Sequence, residues 1–246
     1  MPRIALDLPA DGGTIDATLH LPEGSGPWPK VLMLTDIRGP RDAFYGMADR
    51  LAGQGYAVLL PNVYWRLGRA PVPDLSADPN HPDTFPNLLK LKATLTPEVM
   101  RADAVRFLDA LEARTETMGG AMGVVGYCMS GPYAIYAAEA GGERVAAAAA
   151  YHSAGLIVDG EDSPHRIAAR VSAALVFGHG DKDETLPEAR LPELDRMLAE
   201  ARRDFVNEVY AGSPHGFAVP GSARYDEAGA ERHWRTMTQL FGRCLK

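Results

Sequence analysis

The chain has 246 residues, 46% hydrophobic and 23% charged, the composition of a globular protein long enough for one large domain. Its net charge is −7, with acidic and basic residues interspersed and no basic run, which argues against a nucleic-acid or anionic-membrane partner and leaves a small molecule as the expected one. The two cysteines, Cys128 and Cys244, are too few for a disulfide framework, and without a leader-like amino terminus or an apolar run of membrane-spanning length the expected setting is cytoplasmic, as a monomer or homodimer.

Residues 3–8 and 14–21 are β-compatible runs around Ala10-Asp11-Gly12-Gly13, which predicts an antiparallel hairpin at a sheet edge. Residues 30–35 are continuously apolar, as a central strand buried on both faces requires, and lead into Asp36-Ile37-Arg38-Gly39-Pro40. Phe44, Met47, Ala48 and Leu51 then recur at helical spacing, Gly53 and Gly55 stop the helix, and residues 56–60 give the next strand of a βαβ unit. Between 66 and 96 the periodicity is lost. Pro71, Pro73, Pro79, Pro82 and Pro86 predict an irregular connector there, either a surface insertion or a lid. Thr96, Pro97 and Glu98 supply an N-cap, a first-position proline and an early negative charge for a helix whose apolar face is Ala104, Val105, Leu108 and Leu111.

The segment Gly-Val-Val-Gly-Tyr-Cys-Met-Ser-Gly-Pro, residues 123–132, reads as a strand, a tight turn and a helix start. A sharp turn lifts one side chain above a sheet, and the amides at the helix start can bind an oxyanion. The side chain at the tip is Cys128, and the small residues Gly126, Ser130 and Gly131 around it are not what a core-filling cysteine needs. Helix continues over 134–139, strands are predicted at 145–151, 174–177 and 205–210, and a helix opens at Pro192. Ala230, Trp234, Met237, Phe241 and Leu245 form a closing helical face, with Cys244 beside it as a structural residue. Alternating strands and helices predict a single α/β domain with a mostly parallel central sheet, helices on both faces and function in the loops at the strands' carboxyl ends.

Two such loops carry chemistry that could activate a thiol. One is Gly178-His179-Gly180-Asp181-Lys182-Asp183-Glu184-Thr185-Leu186-Pro187, the other Ser213-Pro214-His215-Gly216-Phe217. An acid and a histidine therefore follow the nucleophile in the order of α/β-hydrolase triads, and spacing leaves Asp181 and Asp183 both open as the acid. His179, Asp181 and Asp183 match no zinc or iron spacing, so neither metal nor cofactor is expected. His20 and His233 fall in ordinary surface elements, and His81, His152, His165 and His179 in loops, where His152 at a strand end can line the pocket.

Together with Thr35-Asp36-Ile37-Arg38-Gly39, Met47-Ala48-Asp49-Arg50-Leu51-Ala52, Pro61-Asn62-Val63-Tyr64 and Gly126-Tyr127-Cys128-Met129, these loops make the chain resemble the dienelactone hydrolase family of α/β-hydrolases over nearly its whole length. The resemblance implies Cys128 as nucleophile, His215 as base and Asp183 as orienting acid, the last favoured over Asp181 by the Leu186-Pro187 that follows. It implies an oxyanion hole made by the amides of Ile37 and Met129, and it puts Asp36 where the family carries an acid, typically glutamate, beside the nucleophile. The implied reaction is hydrolysis of a small-molecule lactone or carboxylic ester through an acyl-enzyme. Thioesterase or general carboxylesterase activity, or a binding or redox-sensing role for Cys128, are the alternatives. The chain departs from the family at Ser130, usually glycine, and at Val219, where an arginine holds the substrate carboxylate. Arg38, Arg66 and Arg69 are possible substitutes, with Tyr127 and His152 as further candidates for substrate contact.

Overall fold

The computed structural model describes residues 1–72, 78, 81–186 and 188–246; Pro73, Pro79 and Pro187, with that part of the connector, lie outside the described residues. Eight strands form one sheet: β1 (Arg3–Ala10), β2 (Gly13–His20), β3 (Trp28–Leu34), β4 (Ala57–Pro61), β5 (Thr117–Tyr127), β6 (Val145–Tyr151), β7 (Ala174–Lys182) and β8 (Phe205–Pro214). Their order is β1-β2-β4-β3-β5-β6-β7-β8. The expected edge hairpin is β1 and β2, in register from Arg3 opposite His20 to Ala10 opposite Gly13, and β2 joins β4 antiparallel. From β4 to β8 all pairs are parallel.

Side-chain parity divides the core into two layers. Leu32, Leu34, Val124, Ala148, Ala150, Leu175 and Phe177 face one layer, and Val31, Met33, Val125, Ala147, Ala149 and Val176 the other. The first is covered by α3 (Pro97–Glu112), α4 (Ser130–Gly141) and α6 (Leu191–Glu200), the second by α1 (Asp42–Ala52) and α7 (Glu227–Leu245). Thr96 caps α3 as expected, its hydroxyl accepting from the Val99 amide at 3.4 Å, with Pro97 in the first turn. Among the described residues no helix is long and apolar enough to cross a membrane.

Three local expectations change. The connector holds a helix, α2 (Thr84–Lys92); Pro86 sits in its first turn, where the missing N–H is no loss. A short helix, α5 (Pro164–Ala168), follows β6. His20 and His233 are buried and not on the surface: His20 Nδ1 lies 2.7 Å from Asp49 Oδ1, and His233 Nε2 lies 3.2 Å from the Tyr127 hydroxyl.

The sheet winds from β3 outward to β4 and then returns to β5 on the opposite side, so the carboxyl ends of β3 and β5 flank a switch point where such sheets bind ligands. The turn after β5 depends on a close backbone approach. A Cβ on Gly126 would lie 1.8 Å from the Ser130 carbonyl oxygen. Gly126→Ala is therefore expected to destabilise the fold by about 1–3 kcal/mol, the range for overpacking, and to lower Tm by several degrees; an unchanged melting curve would contradict this account of the turn.

Candidate active site

Cys128 follows β5 directly with φ of 57°, a left-handed conformation that L-residues adopt only where surrounding structure enforces it. Its amide donates to the Tyr151 carbonyl at 3.0 Å, and its own carbonyl accepts from the amides of Gly131 and Ala154, both at 3.1 Å. These bonds fix the turn between β5, β6 and α4. The amide of Cys128 is thereby consumed, while that of Met129 stands at the amino end of α4, where helical N–H groups have no intrahelical acceptor. Gly131 is required for the approach of β6, since a Cβ there would lie 2.0 Å from Ser153 Oγ. The helix thus begins directly beneath the thiol.

The acid and the histidine are brought together by the β7–β8 pairing. Lys182 is in register with Pro214, so the residues immediately after them, Asp183 and His215, emerge side by side. Gly180 makes this possible, because a Cβ there would meet the Ser213 carbonyl oxygen at 2.0 Å. His215 Nδ1 lies 2.8 Å from Asp183 Oδ2, and His215 Nε2 lies 3.1 Å from Cys128 Sγ. With Nδ1–H donating to the carboxylate, Nε2 is free to accept the thiol proton. Asp183 Oδ1 accepts from both the amide and the hydroxyl of Thr185, at 2.9 and 2.7 Å. Asp181 instead accepts from the Gly212 amide at 2.7 Å, so of the two acids left open by spacing it is Asp183 that touches His215.

The electrostatics follow from these contacts. Burial alone would pull the His215 pKa down, but the hydrogen bonds to Asp183 and Cys128 outweigh it and the pKa is pushed up to about 9. Burial likewise pushes the Asp183 carboxyl up, and the bonds from His215 and Thr185 overcome this and hold it below the usual carboxylate range. An acid kept ionised beside an imidazole that readily holds a proton is the pairing a nucleophilic thiol needs.

A cavity of about 410 Å³ opens above Cys128. Asp36, Ile37, Arg38, Met129 and His152 are among the residues that line it. Asp36 does not engage the thiol. Its two oxygens take a fork from Arg41 at 2.6 and 2.7 Å and a bond from the Arg38 amide at 2.9 Å, while Sγ has His215 as its partner. Arg66, Arg69 and Tyr127 lie elsewhere. Arg66 forms a two-pronged bond with the buried Asp103, and Arg69 pairs with Asp7 beside the edge hairpin. Tyr127 has the strand parity of Val125 and is fully buried in the layer beneath the sheet, against α7.

With this geometry, the comparisons with known proteins are decisive. The family model of the dienelactone hydrolase family matches residues 15–245. The chain belongs to the dienelactone hydrolase family. It is 26% identical over 245 residues to a Methylorubrum extorquens protein named as a candidate carboxymethylenebutenolidase, covering 95% of this chain and 78% of that one. It is 24% identical to the carboxymethylenebutenolidase of Rhodococcus opacus, covering 92% and 86%. In fold it matches a structure from Klebsiella pneumoniae described as a candidate dienelactone hydrolase, with a TM-score of 0.84 at 23% identity over 99% of this chain and 100% of that one.

Within the family, this member's departures now have surroundings. Ser130 fits the turn as the first residue of α4, fully buried, with its hydroxyl lacking a partner among the described residues. Val219 is buried in the lower core layer and does not approach the cavity. The cations that do line it are Arg38, Lys92 and Arg224. Sequence reasoning missed Lys92 and Arg224, along with Phe85, Leu88 and Leu89 of α2, Thr185 and Arg41. For Thr185 a signal existed: an Asp two residues before a Thr commonly folds back on its amide.

The His215–Asp183 pair gives stability a pH window. The raised histidine contributes fully below its ordinary value of about 6.5 and loses that contribution as pH rises through about 9. The depressed acid contributes above its unfolded value and loses it as pH falls through its folded one. The unfolding free energy of the wild type minus that of Asp183→Asn is therefore expected to be greatest between about pH 4 and pH 6.5 and to shrink on both sides. In the same variant the His215 ring, followed by NMR titration, is expected to drop from about 9 toward its ordinary value. A pH-independent stability difference and an unmoved titration would refute the pairing.

Proposed function

We propose that the chain hydrolyses carboxylic esters or lactones of small molecules through an acyl-Cys128 intermediate. The observation that carries this reading is the unbroken contact chain Sγ–Nε2 at 3.1 Å and Nδ1–Oδ2 at 2.8 Å in the wall of a cavity. His215 holds the proton taken from the thiol, and as Sγ attacks the carbonyl carbon the amides of Ile37 and Met129 receive the developing oxyanion. Each such donor is worth roughly 10²–10³ in rate. Collapse expels the alcohol, which His215 protonates. His215 then deprotonates a water that attacks the thioester, releasing the acid and restoring the thiol. Asp183 keeps the imidazole in the tautomer both steps require, with Thr185 fixing the carboxylate.

The cavity walls suggest what the acyl or alcohol portion looks like. Phe85 and Leu89 of α2 are 61% and 45% exposed yet line the cavity beside Leu88, an arrangement that suits an apolar substituent. Lys92 and Arg224 put positive charge in the same lining. By this reading α2 is the lid of the connector.

Cys128→Ala is expected to abolish hydrolysis of aryl esters and enol lactones while circular dichroism stays native, and activity at the wild-type level in that variant would sink the proposal. Asp183→Asn is expected to lower kcat by about 10³–10⁴ through the wrong tautomer, against a minor effect of Asp181→Asn. Mass spectrometry of the enzyme quenched during turnover is expected to find the acyl group on Cys128 and none on Cys244.

A further inference from the structure

Asp36 and Cys128 leave the sheet side by side. Leu34 at the end of β3 is in register with Gly126 on the neighbouring parallel strand β5, and each of the two residues stands two positions beyond that pair, in the wall of the same cavity. Adjacent strands lie about 4.8 Å apart, so a bare carboxylate here would set its charge against a thiolate. Tyr64 senses both groups: burial first, then the charges on Cys128 and Asp36, push its pKa above the ordinary tyrosine value. The Asp36 side chain is only 14% exposed, too little for water and salt to screen it fully.

The charge on Asp36 is met by Arg41, the residue that precedes α1. Two guanidinium nitrogens donate to the two carboxylate oxygens at 2.6 and 2.7 Å, and one of them also donates to the Gly39 carbonyl at 3.2 Å. The guanidinium packs over the Phe44 ring, 5.0 Å from its centre. The turn itself does not require this fork. The Gly39 amide closes it on the Asp36 carbonyl at 3.0 Å, and the Arg38 amide donates to Oδ1 at 2.9 Å, a bond that the side-chain oxygen of an asparagine would accept equally. The fork therefore adds charge neutralisation to a loop already closed without it. The other titratable groups lining the cavity around the thiol are His215, His152, Arg38, Lys92 and Arg224. Among the described residues Asp36 is the one carboxylate in that lining, Asp183 standing behind His215.

We propose that Arg41 is a positioning residue for the reaction at Cys128: by holding Asp36 in a fork it cancels the one carboxylate charge of the cavity wall and keeps that carboxylate off the thiol, which leaves Sγ to His215 alone. The proposal rests on Cys128 as the nucleophile. Loss of the guanidinium harms the thiol only while Asp36 carries its charge.

The test follows alkylation of Cys128 by iodoacetamide from about pH 5 to about pH 9, the range in which imidazoles and thiols titrate, beside hydrolysis of aryl esters. Mass spectrometry of the peptide that holds Cys128 keeps Cys244 out of the measurement. In Arg41→Met the acid limb of the alkylation profile is expected to move to higher pH, and the rate near about pH 6 to fall by about threefold to tenfold, the effect of one poorly screened like charge. The kcat for ester hydrolysis is expected to fall with it while KM changes by less than about twofold. Arg41→Met combined with Asp36→Asn is expected to return the profile and kcat to within about twofold of the wild type, a rescue that a merely structural role of Arg41 would not give. Should Arg41→Met fail to melt cooperatively, Arg41→Gln serves in its place. An unmoved alkylation profile in the single variant, or a double variant as slow as the single one, overturns the proposal. Alkylation needs no ester, so absence of ester turnover by the wild type overturns the hydrolase reading while the alkylation profiles still decide the role of Arg41.

Discussion

The site depends first on close approaches, two to backbone and one to a side chain, that glycine permits. At Gly126 the strand passes so near the start of α4 that a Cβ would overlap the Ser130 carbonyl, and at Gly131 the helix passes as near to Ser153 of the next strand's loop. Between these two contacts Cys128 has no room for an ordinary backbone conformation, and it takes the left-handed one. The strain is held by three backbone hydrogen bonds, to Tyr151, Gly131 and Ala154. A third approach, Gly180 against Ser213, does the same for β7 and β8 and so brings Asp183 to His215. Steric fit sets the geometry of the site, and its electrostatics follow.

Those electrostatics separate two neighbouring histidines. His215 and His152 are 5.4 Å apart, yet one pKa is raised and the other lowered. Both rings are desolvated, which by itself disfavours charge. The difference is that His215 has the Asp183 carboxylate and the Cys128 thiol as partners, whereas His152 has aromatic edges and a second imidazole. Neighbouring groups of the same type are thus pushed apart by their surroundings, one toward the charged form and the other toward the neutral one.

Much of this was legible in the sequence. The strand runs and the helical repeats around Phe44 and Ala104 follow from local pattern, because the buried faces of regular elements impose it, whereas spacing leaves Asp181 and Asp183 both open and only the family resemblance favours Asp183. What was not legible depends on which partner a side chain meets once the chain is folded. Asp36 meets Arg41 and not the thiol because the shorter side chain falls within reach of a guanidinium at the start of α1. His20 and His233 look like surface residues until Asp49 and Tyr127 arrive to bury and pair them. Tyr127 was open to correction from sequence alone, since its strand parity with Val125 turns it away from the face that Cys128 serves.

A count of prolines predicts an irregular connector between 66 and 96 only when the place of each one in a helical turn is ignored. Pro86 in the first turn of α2 removes no hydrogen bond, and the residues behind it, Phe85, Leu88, Leu89 and Lys92, recur at the spacing of one helical face. That face lines the cavity, with Phe85 and Leu89 exposed and Leu88 buried. Cys128, Asp183 and His215 sit at strand ends that the sheet fixes to within hydrogen-bond distance, whereas α2 buries only Thr84 and Leu88 and packs Leu91 against the core. A segment anchored so lightly can change its lining residues without disturbing Cys128, Asp183 or His215. The division separates a rigid Cys128–His215–Asp183 arrangement from a cavity wall that can vary without disturbing it.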